Sequence, residues 1–141
     1  RKGCLETYTS ATGVARTARE FLEKSEQPSL LRELNAEEIT SFDVFKAAEK
    51  GDQLALDIFN YTGEILGKAC ADFATFNSPE AFVFFGGLTK AGEYLMKPLR
   101  KAYEDNVLFL YKGEGKQAKL LISTLNGSEA AVLGASALGW E

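Results

Sequence analysis

The amino-acid sequence predicts an α/β fold, helix-rich with one short parallel strand pair. Three observations carry that expectation. Apolar residues recur at three- and four-residue spacing through the first half of the chain. Two short apolar runs, 81–85 and 119–123, stand in the second half. The first is too short for a helix and unbroken by polar residues, the pattern of a strand buried on both faces. Glycine follows each run, as Gly86-Gly87 and Asn126-Gly127, and a further helical pattern follows each glycine. Strand, helix, strand implies parallel pairing through a right-handed crossover.

Taken in order, Val14, Ala18, Phe21 and Leu22 mark one face of a first helix. Pro28 ends it near Gln27. Leu30, Leu31 and Leu34 fall in a connecting segment. Thr40 or Ser41 can cap the next helix, with Asp43 in its first turn. Phe42, Phe45 and Ala48 are expected on its inner face, and Gly51 stops it. Asp52 then caps a long helix reaching about Asn77. Its apolar stripe reads Leu54, Ile58, Tyr61, Ile65, Ala69, Phe73 and Phe76. After the first strand and Gly86-Gly87, a helix is expected from about Lys90, faced by Leu95, Met96, Leu99 and Tyr103. Pro98 should kink it or open a new segment. Beyond the second strand, Ser128 caps a last helix to about Leu138.

Composition narrows the function. The chain has 141 residues, 45% hydrophobic and 26% charged, enough for one domain with a true core. The strongest apolar stretch, Ala81–Leu88, is far shorter than the about 20 residues a membrane span needs. No secretory leader pattern is present, so a cytoplasmic location without membrane attachment is expected. The net charge is −4, from 16 basic and 20 acidic residues, which argues against a nucleic-acid partner. There is no histidine, so Ser-His-Asp, Cys-His and His-metal chemistry are excluded within these residues. Cys4 and Cys70 make no disulfide framework. The chain opens on Arg1, not Met, and we read it as part of a longer protein.

Four stretches could carry chemistry. Gly86-Gly87 leaves bare backbone where a strand meets a helix, suited to a close ligand or simply to a turn needing positive φ. In open α/β sheets, ligands bind beyond the carboxyl ends of strands. The last helix has a small-residue surface in Ala130, Ala131, Gly134, Ala135, Ala137 and Gly139. That suits either a hinge crossing or a tightly packed core. Gly3-Cys4-Leu5-Glu6 offers one thiol and one carboxylate; the thiol reads as a small hydrophobe and the carboxylate as a surface group. Gly113-Glu114-Gly115-Lys116 lacks phosphate-loop spacing and reads as a solvated loop. Cys70 reads as core.

Together these residues resemble the ROK family (repressors, open reading frames and sugar kinases) of the actin–hexokinase superfamily. Gly3-Cys4-Leu5-Glu6-Thr7-Tyr8, with Ser10 and Gly13, is similar to the end of the family's cysteine signature. Phe84-Phe85-Gly86-Gly87-Leu88 resembles its nucleotide strand and double glycine, and Glu93-Tyr94-Leu95 with Pro98-Leu99-Arg100 the stretch that follows. Ala130-Ala131-Val132-Leu133-Gly134-Ala135 resembles its closing helix.

The resemblance implies that residues 1–141 are a single partial domain. It would be the C-terminal lobe of a two-lobed protein, with an actin/hexokinase-type, ribonuclease-H-like core. It implies a glucokinase-like kinase that moves the γ-phosphoryl group of ATP, with Mg²⁺, to a hexose hydroxyl. Glu6 would hold sugar hydroxyls. Gly86 and Gly87 would approach the nucleotide, with Thr89 and Lys90 close by. Cys4 would be one ligand of a structural zinc whose other ligands lie outside this chain, so zinc is not expected here. The catalytic aspartate would also lie outside, leaving the chain alone inactive. A homodimer is implied. The alternative from another class is the sugar-sensing lobe of a ROK-family transcriptional repressor.

Overall fold

A computed structural model describes residues 3–113, 117–125 and 127–139. The helices are α1 (Glu6–Thr9), α2 (Ala11–Lys24), α3 (Ser41–Glu49), α4 (Gln53–Asn77), α5 (Glu93–Asn106) and α6 (Gly127–Ala137). The strands are β1 (Ala81–Phe84) and β2 (Lys119–Ile122). They pair in parallel, Ala81 opposite Lys119 and Phe84 opposite Ile122, as the crossover pattern requires.

Side-chain caps set the starts of α2, α3 and α4. Ser10 caps α2 by accepting the Gly13 N–H at 3.0 Å. Thr40, not Ser41, caps α3, and Asp43 reaches back to the Thr40 N–H at 2.9 Å, closing a capping box. Gly51 turns the chain at φ +80°, and Asp52 caps α4 through the Ala55 N–H at 3.0 Å. α2 ends at Lys24, earlier than Pro28 alone would require. The Arg32 guanidinium gathers the carbonyls of Leu22, Ser25 and Gln27 there and fixes a non-helical exit.

Two apolar clusters share α4. Around its first half, Leu54, Ala55, Ile58 and Phe59 pack with Val14, Ala18, Leu31, Ile39, Val44 and Leu95. Around its second half, Cys70, Ala71 and Ala74 pack with Tyr103, Val107 and Ala118, covered by Phe82, Phe84 and Leu120. Leu95, Met96, Leu99 and Tyr103 of α5 are all buried, as their spacing implies. Pro98 is the sixth residue of α5, and the helix runs through it without a new segment.

Several side chains depart from their expected places. Leu54 and Ile58 are buried as expected, but from Gly63 onward the buried face of α4 is the small one: Gly63, Gly67, Cys70, Ala71 and Ala74 turn inward. Tyr61, Phe73 and Phe76 are exposed, Phe76 at 82%. The glycines admit the backbone of α5 closely, and that seam leaves the Phe73 and Phe76 side of the stripe facing outward. Ala48 is buried and Phe45 packs on the core as expected, but Phe42 is exposed and Val44 and Ala47 complete the buried face of α3. The strands are covered mainly on the face of Phe82, Phe84 and Leu120, since Val83 and its partner Leu121 on the other face are exposed. An apolar run is compatible with burial on either one or two faces, and one face is what this chain fills. α5 starts at Glu93, because Gly87–Ala91 forms a 3₁₀ turn and Gly92 breaks it at φ +54°. Gly134, Ala135, Ala137 and Gly139, four residues of the small surface, are exposed, as are Val132 and Leu133 of α6. The expected loop at Glu114–Lys116, the Asn126 turn and the Ser128 capping side chain lie outside the described residues. No helix among those described is long and apolar enough to cross a membrane.

Candidate functional site

The carboxyl end of β1 is built to leave backbone uncovered. Gly86 follows the strand with φ +113°, a conformation that side-chain-bearing residues rarely adopt. Gly87 then opens the 3₁₀ turn. A Cβ placed on either glycine would meet nothing within 4 Å. The Gly86 carbonyl accepts from the Thr89 N–H at 3.2 Å and from the Thr89 hydroxyl at 2.7 Å. Thr89 is therefore spent on shaping the turn, and its hydroxyl proton is committed to that carbonyl. Lys90 is exposed and makes no ion pair among the described residues.

Beside this turn lies a cleft of about 170 Å³ that the sequence did not suggest. Gly87, Leu88, Lys90 and Ala91 form one side, and Ser41, Phe42, Phe45 and Phe59 the other. The Lys46 ammonium lies 5.4 Å from the centroids of both Phe42 and Phe45. The exposed Phe42, expected in the core, instead walls this cleft. The sequence signal was the Thr40–Asp43 box, which fixes the start of α3 and with it the direction of both rings.

The second expected residue, Glu6, stands at the exposed start of α1. It lines a polar pocket of about 350 Å³ with Ser10, Thr12, Gly13, Arg16 and Arg19. This pocket and the glycine cleft share no lining residue, so the described residues do not bring Glu6 and Gly87 into one cavity. Cys4 is half-buried just before α1, and Gly3 precedes it at φ +84°. No group of three or more His, Cys, Asp or Glu among the described residues could hold a metal ion. Cys4 therefore has no partners for a zinc site among the described residues. Open main chain beside an apolar cleft, by contrast, fits a nucleotide. Cys70 is core, and burial pushes its thiol up to about 11. A wider groove of about 660 Å³ along α4 and α5, lined by Leu56, Tyr94 and Lys97 among others, includes none of the expected residues.

Comparison with known proteins bears on this arrangement. The chain is 36% identical over 141 residues to a glucokinase of Halalkalibacterium halodurans, covering 99% of this chain and 41% of that protein. The chain thus spans less than half the length of that relative. A crystal structure of a ROK family glucokinase from Streptomyces griseus, in complex with glucose and AMPPNP, matches with a TM-score of 0.80 at 29% identity. The match covers 98% of this chain and 45% of that one. A ROK family transcriptional regulator, a homologue of the Escherichia coli MLC protein, matches with a TM-score of 0.71 at 28% identity, covering 86% and 29%. The fold is thus a helix-rich part of the ROK glucokinase architecture, with its two strands parallel. The ROK family model spans residues 1–141 in full, and the chain belongs to that family.

Proposed function

We propose that this chain is the C-terminal lobe of an ATP-dependent hexose kinase of glucokinase type. The observation that carries the reading is the open main chain of Gly86 and Gly87 at the carboxyl end of β1, beside the Phe42–Phe45 cleft. The glucose and AMPPNP held by the Streptomyces griseus relative support it.

Each residue then has a task. Gly86 and Gly87 admit phosphate oxygens to the backbone, because no side chain stands in the way. Phe42, Phe45 and Leu88 offer an apolar wall to a base, and Lys90 a cation to its phosphates. Thr89 holds the turn in shape. Glu6 accepts hydrogen bonds from sugar hydroxyls, a task for which a carboxylate has only acceptors to offer. ATP, when bound, supplies the phosphoryl group. The general base that takes the hydroxyl proton comes from outside these 141 residues. Two lobes closing on the substrates would bring the Glu6 pocket and the glycine cleft to face one another and exclude water. The whole protein acts in the cytoplasm as a homodimer.

The test is a coupled ADP-release assay of the longer protein against glucose, mannose and N-acetylglucosamine, with the 141-residue chain alone as control. Turnover of one hexose by the longer protein and none by the chain alone is expected. Turnover by the chain alone would overturn the assignment as a lobe. The transcriptional-regulator match favours one second reading, a sugar-sensing lobe in a repressor. Sequence-specific DNA binding that a hexose releases, with no ADP produced, would decide for it.

A further inference from the structure

We infer that Arg16 is a positioning residue for Glu6, an inference that rests on the sugar-binding role proposed above for that carboxylate. α1 is a single turn of four residues and buries no side chain. So short a helix does not hold itself in place. It packs against both α2 and α4, and α2 makes the contacts that reach the residues beside Glu6. A Cβ on Gly13 would stand 2.6 Å from the Thr7 carbonyl oxygen and 2.9 Å from the Tyr8 carbonyl carbon, so the two backbones touch there. One turn further along α2, the Arg16 guanidinium donates to the same Thr7 carbonyl at 2.6 Å. Its central carbon lies 5.3 Å from the centroid of the Tyr8 ring. Glu20 balances the charge from behind, 3.5 Å from the Arg16 Nε.

Thr7 and Tyr8 directly follow Glu6, so the clamp fixes the backbone from which the carboxylate projects. Arginine suits the task better than lysine. Its planar fork can meet a carbonyl in its plane and an aromatic ring on its face together. A charge-assisted hydrogen bond to one carbonyl adds direction to packing that would otherwise leave so short a turn loosely oriented. Arg16 and Glu6 line the same pocket, yet Arg16 acts through the main chain and need not touch the sugar.

The experiment uses the longer protein and isothermal titration with whichever of glucose, mannose and N-acetylglucosamine binds best. Arg16→Ala should weaken sugar binding about tenfold, the worth of one such hydrogen bond. AMPPNP affinity should stay within about twofold, since Arg16 is absent from the glycine cleft. Arg16→Lys should recover part of the loss. If Arg16→Ala does not fold, as thermal melting will read, Arg16→Met keeps the stem packing and replaces it. In a Glu6→Gln background the same substitution should cost little more, because its effect runs through Glu6. Losses that add in full, or an Arg16 variant that binds sugar like the wild type while Glu6→Gln does not, would overturn the inference. Unchanged sugar affinity in Glu6→Gln would instead remove Glu6 from the site and this role with it. Binding of no hexose at all would overturn both.

Discussion

Gly63 of α4 lies directly against Pro98 of α5: a Cβ built on the glycine would stand 2.7 Å from the proline Cγ and 2.9 Å from the Leu95 carbonyl oxygen. Gly67, one turn on, is equally tight against Ala102, at 2.7 Å from its Cβ. The two glycines form the seam of the most extensive helix pair in the molecule. Gly63→Ala or Gly67→Ala should therefore cost about 1–3 kcal/mol by overpacking, despite the better helix propensity of alanine. Urea unfolding would read it as a lowered midpoint at unchanged slope. A midpoint equal to or above the wild type would show that the helices can separate freely.

Asp52 is the only carboxylate among the described residues that is buried, and its oxygens are fully used. One accepts the Ala55 N–H at 3.0 Å; the other accepts the Ser29 hydroxyl at 2.9 Å and the Leu30 N–H at 2.6 Å. It thereby caps α4 and ties down the segment after α2. Asp52→Ala should lower stability by about 2–3 kcal/mol, combining a lost cap with stranded donors. Asp52→Asn should cost less. Loss of the midpoint shift in a Ser29→Ala background would show the two acting as one unit.

What the sequence disclosed and what it hid divide along a physical line. The Thr40–Asp43 box, the Gly51 stop and the Asp52 cap depend on residues within a few positions of one another, so spacing alone revealed them. The parallel pairing followed from the crossover. The exposure of Tyr61, Phe73 and Phe76 was not legible, because periodicity finds a stripe without saying which neighbour claims it. Here the Gly63–Gly67 seam claimed the other face. Of the candidate site, the double glycine was legible as local backbone chemistry. The cleft between the Phe42–Phe45 pair and Gly87, and the Arg16 clamp on Thr7, join residues from separate elements, and beyond the Thr40–Asp43 box that sets the start of α3 no local pattern announces them.

The two thiols should differ in reactivity. Cys4 is half-buried, whereas Cys70 is buried and its pKa is raised from 9.0 to about 11 by desolvation. Iodoacetamide at pH 8 should modify Cys4 alone in the native chain and both after denaturation, as intact mass would report. Because the fold favours the protonated Cys70 thiol, its contribution to stability is present in full below pH 9 and is lost as pH rises towards 11. Cys70→Ala should flatten that part of the pH–stability curve. An unchanged slope between pH 9 and 11 would refute the assignment, leaving Tyr103, whose pKa burial also raises, as the cause.

Gly87 offers a separation of stability from binding. Space around it is open and its φ is not in the left-handed region, so Gly87→Val should leave the unfolding midpoint nearly unchanged. In the longer protein the same change should raise the KM for ATP at least about tenfold, by keeping phosphates off the backbone, and leave the hexose KM within about twofold. Equal effects on both constants would place the glycine elsewhere than beside the nucleotide. Gly86→Val would not make this separation, since φ +113° strains any side-chain-bearing residue.

α4 threads both apolar clusters on a single rod of 25 residues. At about 1.5 Å per residue it reaches nearly 40 Å. Neither cluster can dissolve without leaving half of that rod bare, so the two should melt in one cooperative step. A proline introduced near Leu66 would cut the rod between them, and amide exchange would then resolve two units of unequal protection where the intact chain has one.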